Sequence, residues 1–431
     1  MDAEDQSGHG AAMRTSRRHR LRPLPILAAL LALLVGVGWA LSSPLSPSPD
    51  DTLPLGYHWV RPLLIGPDAE LAAVLIRILN TLLGVVLIAS LHTLAPRDEQ
   101  RAVLLVPLIA WTPMGLYLIA SDNPTSWAVV GLYAYNAGMY LATRAQGRRR
   151  VGLLVTGALG ALMCMAARDD VALFLLLVGI ALLLAVRWTR GVWPELLITV
   201  AFGVLGLLEM LSFGGTETMP GAAPDGTEGG VLHRLLIGIM TIPKYIGGFW
   251  GVHWGPGRGD VSLDPRSPYV LVMLAVGALI LLALRSGTWR TWLSTLVLIG
   301  TGALLPVVLY AGGVFEPLEA FEARYVLPLL APALLMLLIV DKDEPVSLSR
   351  PQAIWTGACV ITAHVIAQQV VLMHYVKGDP QWSGDLPISP MMLLFITSCA
   401  FAVLTAVVLV NVTRPARDGR TAREGMVSVL T

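Results

Sequence analysis

Charged residues are scarce in this sequence. Only 14% of its 431 residues are Asp, Glu, Lys or Arg, and 55% are hydrophobic, whereas a soluble domain carries about 25% charged residues. The formal net charge of +1 gives no strong overall positive field of the kind that favours binding to nucleic acid. Uncharged runs rich in Leu, Ala and Val recur along the whole chain, and this pattern indicates an integral membrane protein.

Cysteines and signature motifs are also scarce. The three cysteines, Cys164, Cys359 and Cys399, all lie inside apolar runs, so we interpret them as small hydrophobic residues and predict neither disulfides nor a metal site from them. The sequence contains no His-x-x-x-His or Glu-x-x-His pair, no P-loop and no G-x-S-x-G motif. Nucleotide-driven chemistry in the cytoplasm therefore has no support.

The apolar runs predict an all-α, polytopic membrane bundle with about 12 transmembrane helices. The runs are continuous, whereas the strands of a membrane barrel alternate with a period of two, and each run is close to the roughly 20 residues that cross a bilayer. The first run is interpreted as an uncleaved span, because it is too long for a signal peptide. The predicted spans are 23–42, 69–94, 102–120, 127–143, 151–167, 171–187, 195–213, 268–284, 291–311, 325–340, 353–375 and 391–411.

Basic residues predict the orientation of these spans. If the N-terminus is cytoplasmic, 21 of the 30 Lys and Arg fall in tails and loops on the inner side, as the positive-inside rule requires. We therefore predict a basic cytoplasmic tail at 1–22, a single membrane domain at 23–413 and a second cytoplasmic tail at 414–431. Two outer loops are long, at about 43–68 and 214–267.

Most acidic residues lie on the predicted outer side, which contains 18 of the 29 Asp and Glu. Either they solvate the outer loops, or they mark an outward-facing site. The second long loop begins with a Gly-, Pro- and Thr-rich stretch and continues from Val231 as an apolar segment with scattered aromatic residues. Pro243 and several glycines argue against a full span there, so we predict an interfacial segment.

The first outer loop contains the candidate catalytic residues. Asp50 and Asp51 follow a Pro- and Ser-rich lead shortly after the first span. Two adjacent carboxylates in a loop can converge on a cation or divide acid and base work, and this pair lies near the bilayer surface, where a lipid-linked phosphate would be. The alternative is a solvated turn after Pro49.

Arg77 is a candidate for binding substrate because it lies two to three turns inside the second predicted span. Basic residues are rare at such depth and either face the bundle or snorkel to the interface. An inward-facing Arg77 either holds a phosphate or pairs with an acidic residue of the outer side, for which the candidates are Asp50, Asp68 and Glu70.

Two further charged groups lie at predicted outer ends of spans. Arg168, Asp169 and Asp170 separate two short spans, where they either form part of a site or reach water at a tight hairpin. Arg324 and Tyr325 precede an apolar run and follow the glutamate-rich stretch EPLEAFE. Arg324 therefore either binds an anionic head group or pairs with one of those glutamates.

Five short stretches lie in order over most of the chain: SPSPDD (Ser46–Asp51), TPMGLYLIASDNP (Thr112–Pro124), AARDDVALFLLL (Ala166–Leu177), SLDPRSP (Ser262–Pro268) and EARYVLPLL (Glu322–Leu330). Together they resemble a bacterial family of predicted membrane proteins, domain of unknown function 2142. That family is similar to the polytopic glycosyltransferases that use polyprenyl-phosphate-linked sugars, whose first outer loop carries a catalytic or metal-linked acidic pair. The resemblance implies that Asp50 or Asp51 is the base or contacts a divalent cation.

One feature departs from the resemblance. Family members usually carry a His within a few residues of the acidic pair, but here the sequence runs DDTLPLGYHW and the nearest His is His58. The segment before the second span is also shorter than usual. Either His58 is brought back by a changed loop, or the site is altered.

The leading hypothesis is glycosyl transfer at the outer face of the bacterial cytoplasmic membrane, from a lipid-phosphate-linked sugar to a cell-envelope glycan or protein. The alternatives are a transporter or flippase for an envelope lipid or small solute, and a non-catalytic membrane scaffold. Membrane lipids and a polyprenyl-phosphate-linked sugar are the expected partners, and nucleic acid is not. Beside Asp50 and Asp51, the candidate substrate-binding residues are His58, Arg77, Arg168, Asp169, Asp264, Arg324 and Tyr325.

Overall fold

The computed structural model describes residues 23–42, 69–167, 169–213, 230–250, 261, 267–284, 287–313, 322–341, 345–378 and 388–413. Within these residues the chain is all-α and contains no strand. The helices of the described part are α1 Pro23–Leu41, α2 Ala69–Leu94, α3 Gln100–Ala110, α4 Met114–Ile119, α5 Thr125–Ala142, α6 Gly147–Ala167, α7 Asp169–Ala185, α8 Trp193–Phe213, α9 Val231–Gly248, α10 Ser267–Leu284, α11 Trp289–Ala311, α12 Leu330–Ile339, α13 Arg350–Gly378 and α14 Pro390–Thr413. Short 3-10 turns lie at Arg190–Val192, Ala323–Tyr325 and Leu327–Leu329.

The predicted all-α membrane fold is confirmed in the described residues. Six helices are long and apolar enough to cross a membrane: Ala73–Leu94, Gly147–Ala167, Arg190–Glu209, Trp289–Ala311, Arg350–Val376 and Pro390–Thr413. Shorter apolar helices occupy other predicted spans, among them α1, α7 and α10. The total of about 12 spans and the cytoplasmic position of both termini stay predictions.

Two predicted spans differ from the observed helices at proline residues. The span predicted at 102–120 is divided into α3 and α4, because Pro113 has no N–H with which to continue the hydrogen bonding of α3. The span predicted at 325–340 begins with 3-10 turns around Pro328 and leaves only the ten residues of α12 as regular helix. Every residue of α12 after the first is buried, so this short helix is part of the core.

The apolar part of the second long loop forms the helix α9 in the described residues. It continues through Pro243, packs against α11 and leaves Leu232, Leu236 and Met240 exposed along one face. The spacing of four residues between these three side chains is that of one apolar helix face. Such a face is what the predicted interfacial segment requires.

Ion pairs define two ends of the bundle. At one end, called here the Arg77 end, Arg77 pairs with Asp122. At the other, the Glu99 end, Arg144 pairs with Glu99 at 2.9 Å. Because α5 runs between Asp122 and Arg144 with 18 residues, the two ends are about 27 Å apart at 1.5 Å per residue. The predicted orientation assigns the Glu99 end to the cytoplasm and the Arg77 end to the outside.

Loops that were all predicted to be on the inner side meet at the Glu99 end. Asp341 accepts hydrogen bonds from Arg187 at 3.1 Å and from the Thr288 hydroxyl at 2.9 Å. Arg290 donates to the carbonyl of Val186 at 2.7 Å. These contacts join three loops that were predicted to lie on the inner side. Their meeting at one end agrees with the predicted orientation, in which successive loops lie alternately inside and outside.

Glu99 provides a test of this end by pH. Burial raises the pKa of its carboxyl, Arg144 opposes that shift and Asp98 adds to it. Since the folded chain keeps this proton to a higher pH than the unfolded chain, ionisation of Glu99 destabilises the fold as pH rises from about 4.5. The melting temperature of Glu99→Gln, relative to that of the wild type, is therefore expected to rise over this pH range.

Thermal unfolding of the detergent-purified protein between pH 4 and pH 7 measures that difference. The matched control is Arg97→Gln at a nearby exposed position. Because an arginine does not titrate in this pH range, this variant should keep a constant offset from the wild type. A Glu99→Gln offset that is equally constant across the range would show that burial of Glu99 does not shift its titration.

α5 and α6 cross at close range, and glycines permit it. A Cβ on Gly138 would lie 2.7 Å from the backbone of Gly157 and of Leu153, and one on Gly131 would lie 2.7 Å from the carbonyl oxygen of Gly160. Small residues at such crossings let the two backbones approach in membrane proteins. α5 also packs against α12 and against α4, the helix that precedes the loop with Asp122.

Candidate functional site

Arg77 is buried inside the bundle at the Arg77 end. It lies about two turns after the start of α2, and only 2% of the residue is exposed. Its guanidinium contacts the Asp122 carboxylate, Nη2 to Oδ1, at 3.4 Å and donates from Nη1 to the carbonyl of Ala40 at 3.4 Å. Because a guanidinium keeps its charge, its burial requires partners of this kind. Arg77 is therefore a fixed positive charge beneath the end of α1.

Asn80 anchors the loop that carries Asp122. Its Nδ2 donates to the carbonyl of Ser121 at 2.8 Å, and its Oδ1 accepts from the indole N–H of Trp127 at 2.9 Å. Residues three apart on a helix share one face, so Arg77 and Asn80 both face this loop. Together they fix the position of the Asp122 carboxylate.

The candidate acidic pair lies outside the described residues. The described chain stops just after α1 and resumes with α2, so Asp50, Asp51 and His58 have no position to compare with that of Arg77. The structure does place the end of α1, the helix that precedes them in the chain, because the Ala40 carbonyl near the end of α1 accepts from Arg77. The polar cluster around Arg77 therefore lies beside the last described residues before the acidic pair.

Arg324 lies in the 3-10 turn that precedes α12, and 4% of it is exposed. Its Nε forms an ion pair with the carboxylate of Glu322, and its guanidinium lies 5.7 Å from the centre of the Tyr325 ring. The interpretation that Arg324 pairs with a preceding glutamate is thus confirmed. Its turn packs against α9, whereas Arg77 lies among α1, α2 and the Asp122 loop, so the two arginines occupy different neighbourhoods.

The remaining candidates are only partly placed. Arg168 and Asp264 lie outside the described residues. Asp169 is the first residue of α7, but its side chain is not described. Since α6 ends at Ala167, a single residue separates the two helices at the point where a tight hairpin was predicted. Whether its charges face a site stays a prediction.

A buried polar contact ties the end of α1 to α13. The Trp39 indole N–H donates to His364 Nδ1 at 3.4 Å, and the Gln368 amide donates to the Ser42 hydroxyl at 3.1 Å. The ring of His364 also stacks on Phe401, with ring centres 4.0 Å apart. His364 is therefore a packed helix histidine, and these contacts hold the end of α1 in place.

The sequence pointed to Arg77 but missed three residues that position it. Asn80, Asp122 and Trp127 come from two different parts of the chain, and their role is visible only after folding. One local signal was present, because Arg77 and Asn80 are polar, lie one turn apart and interrupt an apolar run. Polar residues on one face of a membrane helix indicate a buried polar contact.

A metal site is not found in the described part of the chain, where no group of three His, Cys, Asp or Glu side chains lies close enough to hold an ion. The acidic pair at Asp50 and Asp51 falls outside that search.

In the comparison with known protein families, one family model matches a domain-sized segment of the chain. The family model described as "Predicted membrane protein (DUF2142)" matches residues 59–335. The matched segment includes Arg77, Asp122 and Arg324, and it begins after Asp50 and Asp51. No curated protein matches the chain.

Proposed function

The chain belongs to the DUF2142 family of predicted membrane proteins, and from that premise we propose that it transfers a glycosyl group from a lipid-phosphate-linked sugar at the Arg77 end of the bundle. The acceptor is a hydroxyl group of a cell-envelope glycan or protein. The proposal assigns the outer face of the cytoplasmic membrane to this end. Its sequence support is the resemblance of the five stretches to this family, which we interpret as similar to the polytopic glycosyltransferases.

The observation that carries the proposal is the buried guanidinium of Arg77. Its partner Asp122 and the Ala40 carbonyl hold it at the end of α1, where the segment with Asp50 and Asp51 begins. A guanidinium matches the geometry and charge of a phosphate group. A preorganised cation is also what a departing phosphate requires, because negative charge develops on it in the transition state.

The proposed reaction balances with the residues named. Asp50 or Asp51 takes the proton of the acceptor hydroxyl as its oxygen attacks the anomeric carbon of the sugar. The bond between that carbon and the phosphate oxygen breaks, and its electron pair leaves with the lipid phosphate. In this proposal Arg77 stabilises the negative charge on the departing lipid phosphate, and Arg324 is a second candidate for that role.

The experiment replaces both carboxylates in the source organism. In a strain that lacks the native gene, the wild-type chain, Asp50→Asn with Asp51→Asn, and Asp98→Asn are expressed to equal membrane levels, and the envelope glycans are analysed by mass spectrometry. Loss of a general base lowers the rate by about 100-fold or more, so the double variant should lose the glycan that depends on this gene. Asp98→Asn, at the Glu99 end, should keep it.

Normal glycans in the double variant would contradict the proposal. A second readout separates transfer from transport of the same lipid. Purified wild-type protein mixed with a polyprenyl-phosphate sugar and an acceptor extract should release free polyprenyl phosphate, whereas a flippase would move the lipid without cleaving it.

A further inference from the structure

An apolar groove lies between α1, α2, the α3–α4 pair and α14. Its volume is about 130 Å³, which is close to the roughly 150 Å³ of an apolar cavity known to stay dry and to accept a benzene-sized ligand. We call it the α1–α2 groove. Residues that line it include Ala29, Ala32, Val85, Ile88, Leu104 and Phe401.

Small side chains on one face of α1 create this space. Ala29, Ala32 and Gly36 follow the spacing of a single helix face and line the groove. Ala29 and Ala32 are partly exposed, as are Val85 and Ile88 on the opposite wall. The groove therefore opens sideways, toward the lipid, between α1 and α2.

The groove is closed toward the Arg77 end. There α1 and α2 touch, since a Cβ on Gly36 would lie only 2.1 Å from the Thr81 side chain. From Thr81 the groove follows α2 to His92, a distance of 11 residues or about 16 Å. In the described part of the chain, a hydrocarbon chain can therefore enter it from the lipid-facing side or from the Glu99 end.

Cationic and hydrogen-bonding groups lie where the groove reaches the Glu99 end. His92 lines the groove, and its Nδ1 lies 3.0 Å from the carbonyl of Gln100. Arg101 is one turn before Leu104 and two turns before Leu108, both of which line the groove. This spacing puts Arg101 on the same face of α3. Arg97 and Asp98 are exposed nearby.

We propose that the α1–α2 groove binds one hydrocarbon chain of an anionic phospholipid from the leaflet at the Glu99 end, with the lipid phosphate at Arg101. The apolar walls suit the chain, and the arginine supplies the complementary charge at the end from which it enters. The site does not depend on the proposed glycosyl transfer, because that reaction is assigned to the Arg77 end, where the groove is closed.

The test measures lipid binding to the purified, delipidated full chain by native mass spectrometry, with phosphatidylglycerol and phosphatidylcholine of identical acyl chains as probes. The wild type should hold one phosphatidylglycerol more tightly than the others. Ala32→Phe fills the groove and should weaken that binding about tenfold or more. The control Leu30→Phe adds the same ring on the exposed face of α1 and should bind as the wild type does.

The head group is tested by Arg101→Gln, with Arg97→Gln as its control at an exposed position. Arg101→Gln should weaken phosphatidylglycerol binding about tenfold and phosphatidylcholine binding less, because the choline cation already offsets the phosphate charge. If Ala32→Phe does not purify as a folded protein, Ala89→Phe on the α2 wall replaces it. Unchanged binding in a folded groove variant, or equal affinity of the wild type for both lipids, overturns the proposal.

Discussion

Gly138→Leu is expected to prevent normal folding, because the helix crossing that it enters has no room for a side chain. The atoms that a Cβ would meet at 2.7 Å belong to the backbone of Gly157 and Leu153, so no rotamer change can relieve the overlap. Overpacking of a core usually lowers stability by about 1–3 kcal/mol, and more where the neighbours cannot move. Here α5 and α6 would have to separate, so about 3 kcal/mol or more is expected.

The measurement is fluorescence-detected gel filtration followed by thermal unfolding in detergent. Gly138→Ala should already lower the melting temperature, and Gly138→Leu should leave little monodisperse protein. Gly277→Ala is the matched control: this glycine also lies in an apolar helix, but no heavy atom lies within 4 Å of an added Cβ. It should be neutral or stabilise the helix by about 0.5–1 kcal/mol. A Gly138→Leu protein as stable as the control would contradict the tight crossing.

The positions of the helices could be predicted from the sequence because the membrane imposes a simple rule. A span needs a continuous apolar run of nearly fixed length, and runs such as that of α14 stand out without reference to any other part of the chain. The interruption between α3 and α4 was missed because Trp111–Pro113 carries no charge and interrupts the apolar run for only three residues. Hydropathy measures the transfer of side chains from water to lipid. Pro113 interrupts the helix for a different reason, because it lacks the backbone N–H that would continue the hydrogen bonding.

The candidate site was less predictable, since it depends on which helices pack together. Arg77 was recognisable as a charge in an apolar run. Its described carboxylate partner is Asp122, 45 residues further along the chain, whereas the sequence suggested acidic residues next to α1 and α2. The contact between Gln368 and Ser42 spans 326 residues and has no local sequence signal. Apolar patterning specifies which face is buried and leaves open which neighbour it meets.

Removing Arg77 is expected to have the largest effect of any single polar substitution at the site. Arg77→Met leaves the Asp122 carboxylate, whose side chain is 12% exposed, without its buried cationic partner. Loss of one member of a buried ion pair destabilises a protein by about 3–5 kcal/mol. The single variant should therefore lose both stability and any activity, and by itself it cannot separate a structural role from a catalytic one.

The double variant Arg77→Met with Asp122→Asn separates the two roles. Because neither residue is then charged, most of the lost stability should return, and the melting temperature should approach that of the wild type. If Arg77 holds the lipid phosphate, the folded double variant remains unable to restore the envelope glycan. Recovery of both the melting temperature and the glycan would assign Arg77 a structural role alone and would move the phosphate-binding role to Arg324. The same glycan assay with Arg324→Met then decides whether the bundle contains a phosphate site at all.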